Sequence, residues 1–260
     1  MKKYEFTGET KVWFGRVLKQ IRALVKIEFD FGLTINPGDI GGWIEKEDNL
    51  SHEGKAWVYG NAWVCDDAWV YGNARVYGNA RVCDDARVCD DAWVYGNAWV
   101  YGNARVCDDA RVYGNAWVYG NARVCDDAWV CDDAWVYGNA RVYGNAWVYG
   151  NAWVYGNARV YGNARVCDDA RVCDDAFISK DEHWLIAGPM GSRNDITTFF
   201  RNKAGTIKVK CGCFIGTIDA FLQKVEITHG DSKHAVVYRA AVALAIAQID
   251  VTPVEGKEDD

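Results

Sequence analysis

The chain has 260 residues, of which 50% are hydrophobic and only three are proline, so it is not a disordered chain. Its net charge of -7 argues against attraction of the whole protein to nucleic acid or to an anionic membrane. No apolar run approaches the ~20 residues of a membrane-spanning helix, and the first residues lack the apolar segment of a secretory signal. We therefore expect a cytoplasmic protein whose ten cysteines are free thiols.

The first predicted element is an N-terminal β cap over residues 1–55. The stretch from Leu18 to Val25 is typical of a strand, and Asn36-Pro37-Gly38-Asp39 predicts a turn. A cap is expected because the end strand of a repeat array exposes backbone groups that would otherwise pair with another chain.

A six-residue repeat fills residues 56–176. Twenty units follow one another without insertion from Ala56 to Asp175, and each reads Ala, Trp or Arg, Val, and then Tyr-Gly-Asn or Cys-Asp-Asp. In a short strand, alternation places Ala and Val on one face and Trp or Arg on the other. The Gly-Asn and Asp-Asp pairs tolerate the left-handed backbone of a corner. Because one unit is too small to fold alone, the units must stack into a solenoid that buries Ala and Val.

This period, with a small residue two places before an aliphatic one, resembles the hexapeptide repeat of left-handed parallel β-helices. The bacterial hexapeptide acyltransferases are the best-known proteins of this kind. The resemblance implies a mainly β fold with three units per triangular coil, so the 20 units would form between six and seven coils. The segment from Ile21 to Val58 also resembles leaders of bacterial and phage hexapeptide proteins that have no established activity. Together these resemblances cover residues 1 to about 175.

An 18-residue coil places residues 18 apart in one row. The Trp or Arg residues of the 20 units therefore form three rows, one on each face of the coil. One face is rich in arginine, a second is mostly tryptophan and the third mixes both. Guanidinium groups pair with phosphates or carboxylates, and indole rings stack on sugars, bases or protein. The alternative is that the rings only stabilise neighbouring coils. The candidate ligand-binding residues on the first two faces are Arg87, Arg105, Arg123, Arg141, Arg159, Trp99, Trp117, Trp135 and Trp153.

The Cys-Asp-Asp units place carboxylates and thiols in columns beside the arginine-rich face. Stacked carboxylates could hold Ca²⁺ through their oxygens, and the alternative is solvated charge balanced by the neighbouring arginines. The candidate metal ligands are Asp90, Asp108 and Asp126. The thiols that stack beside them, at a spacing that a disulfide accepts, are Cys89, Cys107 and Cys125.

After the repeat, residues 177–252 are predicted to form a small α+β module, and residues 253–260 a disordered acidic tail. The predicted elements of the module are strands at Trp184–Ala187, Ile196–Phe200 and Thr206–Cys211, a helix from Thr217 to His229, and a helix from Ser232 to Ile249.

The chemically mixed residues of the chain lie in this module. Cys213 is a candidate nucleophile, His229 its base, Asp231 the group that orients His229, and Arg193 a candidate anion-binding residue. The alternative is that His229 ends a helix and Cys213 lies in a half-buried strand. The solenoid has no histidine between residues 53 and 182 and no inserted loop. The resemblance to the acyltransferases implies a histidine base near such a loop, so this chain departs from their pattern.

The leading hypothesis is a non-enzymatic β-solenoid that displays Trp, Tyr and Arg rows for ligand binding, partner binding or self-assembly. An anionic ligand is expected on the arginine-rich face and a protein partner or a second copy on the aromatic face. Nucleic acid is the least favoured anion, and neither a membrane nor a cofactor is expected. The alternatives are a trimeric hexapeptide-type acyltransferase that uses acetyl-coenzyme A, and a ligand-binding or catalytic site around Arg193, Cys213 and His229.

Overall fold

Short strands at six-residue intervals dominate the chain in the computed structural model, which describes residues 1–30 and 32–252. The predicted acidic tail lies outside the described residues. Among the described residues, no helix combines the length and the apolar character that crossing a membrane requires. Before the repeat lie the strands β1 (Tyr4–Trp13), β2 (Arg16–Ala23), β3 (Ile27–Glu28), β4 (Thr34–Ile35) and β5 (Ile40–Ile44), and a 3₁₀ turn at Glu47–Asn49.

Each repeat unit contributes one two-residue strand, formed by its Trp or Arg and its Val. These are β6 to β25, from Trp57–Val58 to Arg171–Val172. From β6 to β23, each pairs in parallel with the strand 18 residues further along, as in Arg105↔Arg123 and Val106↔Val124, so the strands build three sheets. The Ala and Val side chains of all 20 units are at most 1% exposed. They fill the interior as predicted, because alternation directs the Ala and Val of every unit to the same side of the chain.

The corners explain why the repeat uses two different endings. The fifth position of the unit has a left-handed backbone, for example φ +68° at Gly102 and φ +57° at Asp126. Glycine adopts this conformation without strain, and aspartate is among the few other residues that tolerate it. Asp126 also accepts a hydrogen bond at 2.8 Å on Oδ2 from the backbone N–H of Gly144 in the next coil. That contact offsets the backbone strain where Asp replaces Gly.

The stack of parallel strands extends past the repeat at both ends. In the cap, β1 and β2 form an antiparallel hairpin, β2 pairs with β5, and β5 pairs in parallel with the strand of the second unit through Trp43↔Trp63. At the other end β26 (Phe177–Ile178) pairs with the strand at Arg159–Val160. The solenoid therefore has about 8 turns. The predicted six to seven coils counted only the 20 perfect units.

The C-terminal module is a four-stranded antiparallel sheet with two helices against it. In chain order its elements are a 3₁₀ turn at Asp181–His183, β27 (Trp184–Met190), β28 (Asp195–Arg201), β29 (Ile207–Cys211), β30 (Phe214–Thr217), α1 (Ile218–His229) and α2 (Lys233–Gln248). Thr217 and Ser232 are the N-caps of the two helices, since their hydroxyls accept hydrogen bonds from the N–H groups of Ala220 and Ala235. Strand β30 was not predicted from the sequence.

This module covers the C-terminal end of the solenoid. The Thr198 hydroxyl accepts a hydrogen bond at 2.9 Å from the backbone N–H of Arg171, and Ala176 bridges to Asn202. Arg201, only 2% exposed, donates to the carbonyls of Phe177 and Thr252. Both ends of the strand stack are thus covered, which protects their backbone groups from pairing with another chain.

His183, fully buried beside this junction, makes stability sensitive to acid. Its Nδ1 accepts a hydrogen bond at 3.1 Å from the N–H of Ser179, and burial lowers its pKa to about 4. Between pH 6.5 and 4 the folded state therefore binds fewer protons than the unfolded state, so the free energy of unfolding falls as the pH drops. The full pKa difference corresponds to roughly 3 kcal/mol.

We expect His183→Asn to remove this part of the acid sensitivity, because Oδ1 of Asn can accept the same hydrogen bond without titrating. Urea unfolding at pH 7 and at pH 4.5 measures the effect in both proteins. If the free energy of unfolding decreases equally in the wild type and the variant between pH 7 and pH 4.5, the assignment to His183 is contradicted.

Candidate functional site

Five arginines form one continuous line on the solenoid, which we call the arginine row: Arg87, Arg105, Arg123, Arg141 and Arg159. Parallel pairing joins each to the next, so the spacing along the row is that of neighbouring strands, about 4.8 Å. Trp69 precedes the row and Phe177 follows it. Arg87 and Arg123 are exposed, and the other three are half-buried. The structure therefore brings together all five residues that the 18-residue period predicts.

The arginine row has no ion-pair partner in the part of the chain that the structure describes. None of its five guanidinium groups forms an ion pair there, although an Asp-Asp pair begins three residues after each of Arg87, Arg105 and Arg123. Any balance of charge between these arginines and the neighbouring aspartates therefore acts without a direct ion pair among the described residues. Neighbouring like charges at this spacing repel one another by on the order of 1 kcal/mol in water. A bound anion would relieve that repulsion.

An open groove of about 570 Å³ runs along one side of the row. It is lined by Asp85, Arg87, Asn103, Arg105, Asn121 and Arg123. The asparagines form their own line, in which Asn121 donates to Asn139 and Asn139 donates to Asn157 at 3.1 and 3.2 Å. Apart from Asp85, the groove is therefore lined by guanidinium groups on one side and neutral amides on the other.

The aspartate columns stack in line and do not converge on a common point. Asp108 accepts a hydrogen bond from the N–H of Asp126, and Asp126 accepts one from Gly144, so these side chains support the next coil. Within residues 1–30 and 32–252, the Cys and Asp groups whose ligand atoms lie within 4.8 Å of one another are Cys65, Asp66 and Cys83, and Cys107, Asp108 and Cys125. The predicted set of Asp90, Asp108 and Asp126 is not among them, because a column spaces its members along the axis.

The cysteine column contains a disulfide between Cys107 and Cys125, whose Cα atoms are 4.8 Å apart. The expectation that all cysteines are free thiols is therefore wrong for this pair. The spacing of adjacent coils falls within the range that a disulfide accepts, so stacking alone places the sulfurs together. Cys89, one coil earlier, remains a thiol, and burial raises its pKa to about 11.

The tryptophan row is Trp99, Trp117, Trp135 and Trp153, and its rings stack on one another. Their centroids are 5.0–5.2 Å apart and their planes differ by 4–8°. Arg81 and Arg171 close the two ends, with their guanidinium carbons 4.3 and 5.3 Å from the centroids of the terminal rings. The ring faces are consequently covered within the protein, and the half-buried side chains present mainly edges. This geometry favours coil stabilisation over stacking of a ligand on the ring faces.

The first two residues of the mixed row, Trp57 and Arg75, are buried, which corrects their predicted exposure. Trp57 is 0% and Arg75 4% exposed. The N-terminal cap folds over them, with the Tyr4 ring 6.4 Å from that of Trp57 and the Phe29 ring 4.1 Å from the Arg75 guanidinium. Periodicity alone could not indicate which units the cap covers.

A cavity of about 230 Å³ lies in the C-terminal module and brings together Arg193, Cys213 and His229. The residues that sequence reasoning missed there are Lys224, Phe214, Phe221, Val225, Thr228 and Tyr238. Four of them share one face of α1 at spacings of three and four residues, a signal that could have identified them.

The predicted catalytic relay is not assembled in this cavity. Cys213 and His229 line the same cavity, but no hydrogen bond joins them among the described residues. Asp231 does not line the cavity and is exposed at the turn after α1. A nucleophile–base pair requires hydrogen-bond reach, and the described residues show no such contact between Cys213 and His229.

Comparison with known families places the repeat among β-solenoid sequences. A family model described as the YdcK beta solenoid repeat matches residues 68–84, 80–96, 86–102, 104–120, 134–150 and 152–168, all within the 20 units. No curated protein matches the chain. The resemblance to hexapeptide acyltransferases stays a prediction. The matched segments and the stacked strands together show a β-solenoid repeat protein.

Proposed function

We propose that the protein is a non-enzymatic binding scaffold, built on a left-handed hexapeptide β-helix, whose arginine row binds an extended polyanion. The observation that carries this proposal is the line of five arginines without an ion-pair partner among the described residues. Most other arginines in the repeats pack on tryptophan rings, for example Arg111, whose guanidinium lies 5.1 and 4.8 Å from the centroids of Trp93 and Trp129. The arginine row is therefore the cationic surface that remains for a ligand.

A linear ligand fits the row better than a small one. The arginines repeat at the strand spacing of about 4.8 Å, so a small anion contacts one or two of them, whereas a chain of phosphates, sulfates or carboxylates contacts the whole line. The net charge of -7 and the aspartate columns beside the row work against a wide anionic duplex. Polyphosphate and acidic polysaccharides are the classes that match a single narrow line of guanidinium groups.

The other parts of the fold support this surface. The stacked Trp and Tyr rings and the Ala–Val interior hold consecutive coils in register, which fixes the spacing of the arginines. The cap and the C-terminal module cover the two ends of the stack. The face that carries the tryptophan row is the second candidate surface, where another protein or a second copy of this chain would bind.

Two double variants with the same change of charge test the proposal. Arg105→Gln/Arg123→Gln neutralises the centre of the arginine row, and Arg111→Gln/Arg165→Gln neutralises two arginines on the mixed face. We expect the first variant to bind polyphosphate or heparin at least about tenfold more weakly than the wild type, because each charged contact contributes on the order of 1 kcal/mol or more. The polyanion affinity of the second variant should stay within about threefold of the wild-type value.

Binding is measured by calorimetry on the full chain, after circular dichroism has shown that both variants fold. An equal loss of affinity in the two variants would mean that overall charge, and not the row, governs binding. It would contradict the proposal, as would the absence of polyanion binding by the wild type.

A further inference from the structure

The cavity in the C-terminal module is shaped by two tight turns and both helices. The turn at residues 191–194 joins β27 to β28, and the turn at 212–213 joins β29 to β30. Gly191 has φ +73°, and a Cβ there would lie 1.8 Å from the Tyr238 hydroxyl oxygen. Gly212 has φ +54°, and a Cβ there would lie 3.3 Å from Nη1 of Arg193. Both glycines thus allow a functional side chain to lie close against the backbone at the cavity wall.

The rim of the cavity carries an excess of cationic groups. Arg193 and Lys224 line it together with His229, and Asp195 is the one acidic residue in the lining. Asp195 Oδ1 accepts a hydrogen bond at 2.8 Å from the N–H of Ile196. Over the described part of the chain, neither Arg193 nor Lys224 forms an ion pair. The rim can therefore accept an anionic group.

The floor of the cavity is aromatic. The ring of Phe221 lies 5.4 Å from those of both Phe214 and Tyr238, and the His229 ring lies 5.7 Å from that of Tyr238. Burial raises the pKa of Tyr238 to about 12, so its hydroxyl stays protonated and can donate a hydrogen bond. An apolar floor with a few polar groups at its edge is typical of small-molecule sites.

We propose that this cavity binds a small aromatic anion, with its ring against Phe221 and Tyr238 and its phosphate or carboxylate on Arg193 and Lys224. The cavity is separate from the arginine row, so the proposal of an aromatic anion does not depend on the polyanion proposal. It would make the C-terminal module a ligand-binding head on the solenoid. The two thiols in the lining, of Cys211 and Cys213, do not need to react, in agreement with the missing hydrogen bond between Cys213 and His229.

Calorimetry with four probes tests the two halves of the site on the full chain. Phenyl phosphate and benzoate carry both the ring and the charge, inorganic phosphate carries only the charge, and benzyl alcohol only the ring. We expect at least one aromatic anion to bind at least about tenfold more tightly than either partial probe, and the tighter one identifies the anionic group. Inorganic phosphate binding as tightly as phenyl phosphate, or no saturable binding of either aromatic anion up to about 10 mM, would overturn the proposal.

Matched variants locate the binding. Arg193→Gln should weaken the preferred aromatic anion by at least about tenfold, since it removes a charge-assisted contact. Arg22→Gln, on the exposed surface of the N-terminal cap, makes the same charge change and should leave the affinity unchanged. Equal affinities of the two variants would place the probe elsewhere. Retention of polyanion binding by Arg193→Gln shows that the arginine row acts independently.

Discussion

Val124→Asp is expected to abolish cooperative folding of the central coils. Val124 is 0% exposed and stacks between Val106 and Val142 in the interior of the solenoid. A carboxylate there would have neither water nor a cation beside it, and burying such a charge costs several kcal/mol. Because each coil is held mainly by its two neighbours, the disruption removes both of the interfaces that this coil forms. We expect a loss of at least about 4 kcal/mol in the free energy of unfolding.

Arg123, the residue before Val124, provides the control for this variant. Arg123 lies on the same two-residue strand but points outwards and is exposed. We expect Arg123→Asp to change the free energy of unfolding by less than about 1 kcal/mol. Urea unfolding followed by circular dichroism compares the two variants. Similar losses for both would show that the strand does not separate an interior face from an exterior one.

Trp57→Ala is expected to cost about 3–5 kcal/mol, the usual range for truncating a buried aromatic residue. Trp57 is fully buried between the first coil and the cap, where it contacts the Tyr4 ring edge-on. The cavity that remains would loosen the cap as well as the first coil. Exposure of the end strand would then follow, together with a tendency to associate through its unpaired edge.

Trp147 is the matched control, because it occupies the same position of the repeat on the same face. It is 37% exposed and stacks on Trp129 with a centroid distance of 4.7 Å. We expect Trp147→Ala to cost no more than about 1.5 kcal/mol, since much of its ring is already in water. Thermal unfolding of the two variants measures the difference. Equal destabilisation would contradict the covering of Trp57 by the cap.

The strict six-residue period makes the solenoid predictable from the sequence. Fixed Ala and Val at two of six positions indicate the interior, and the 18-residue coil predicts that Arg105 lies beside Arg123, as the structure shows. Such local signals suffice because each unit contacts mainly its neighbours in the stack. The same reasoning failed for Trp57 and Arg75, whose burial depends on the cap, a segment without the period.

The states of the cysteines and the C-terminal cavity depend on details that spacing does not specify. Cys89, Cys107 and Cys125 are equivalent in the repeat, yet the structure pairs only the last two. In the module, Arg193, Cys213 and His229 come from two turns and the end of a helix, and only the packing of α1 and α2 against the sheet brings them around one cavity. Asp231 is two residues from His229 in sequence but does not line that cavity.

The salt dependence of polyphosphate binding tests the arginine row most directly, because its slope counts the charged contacts. Five engaged arginines predict a slope of about -3.5 in a plot of log K against log salt concentration, and Arg105→Gln/Arg123→Gln should reduce its magnitude to about 2. The control Arg111→Gln/Arg165→Gln should keep the wild-type slope. A flat response in the wild type, or equal slopes in all three proteins, would contradict the account of the solenoid as a polyanion-binding surface.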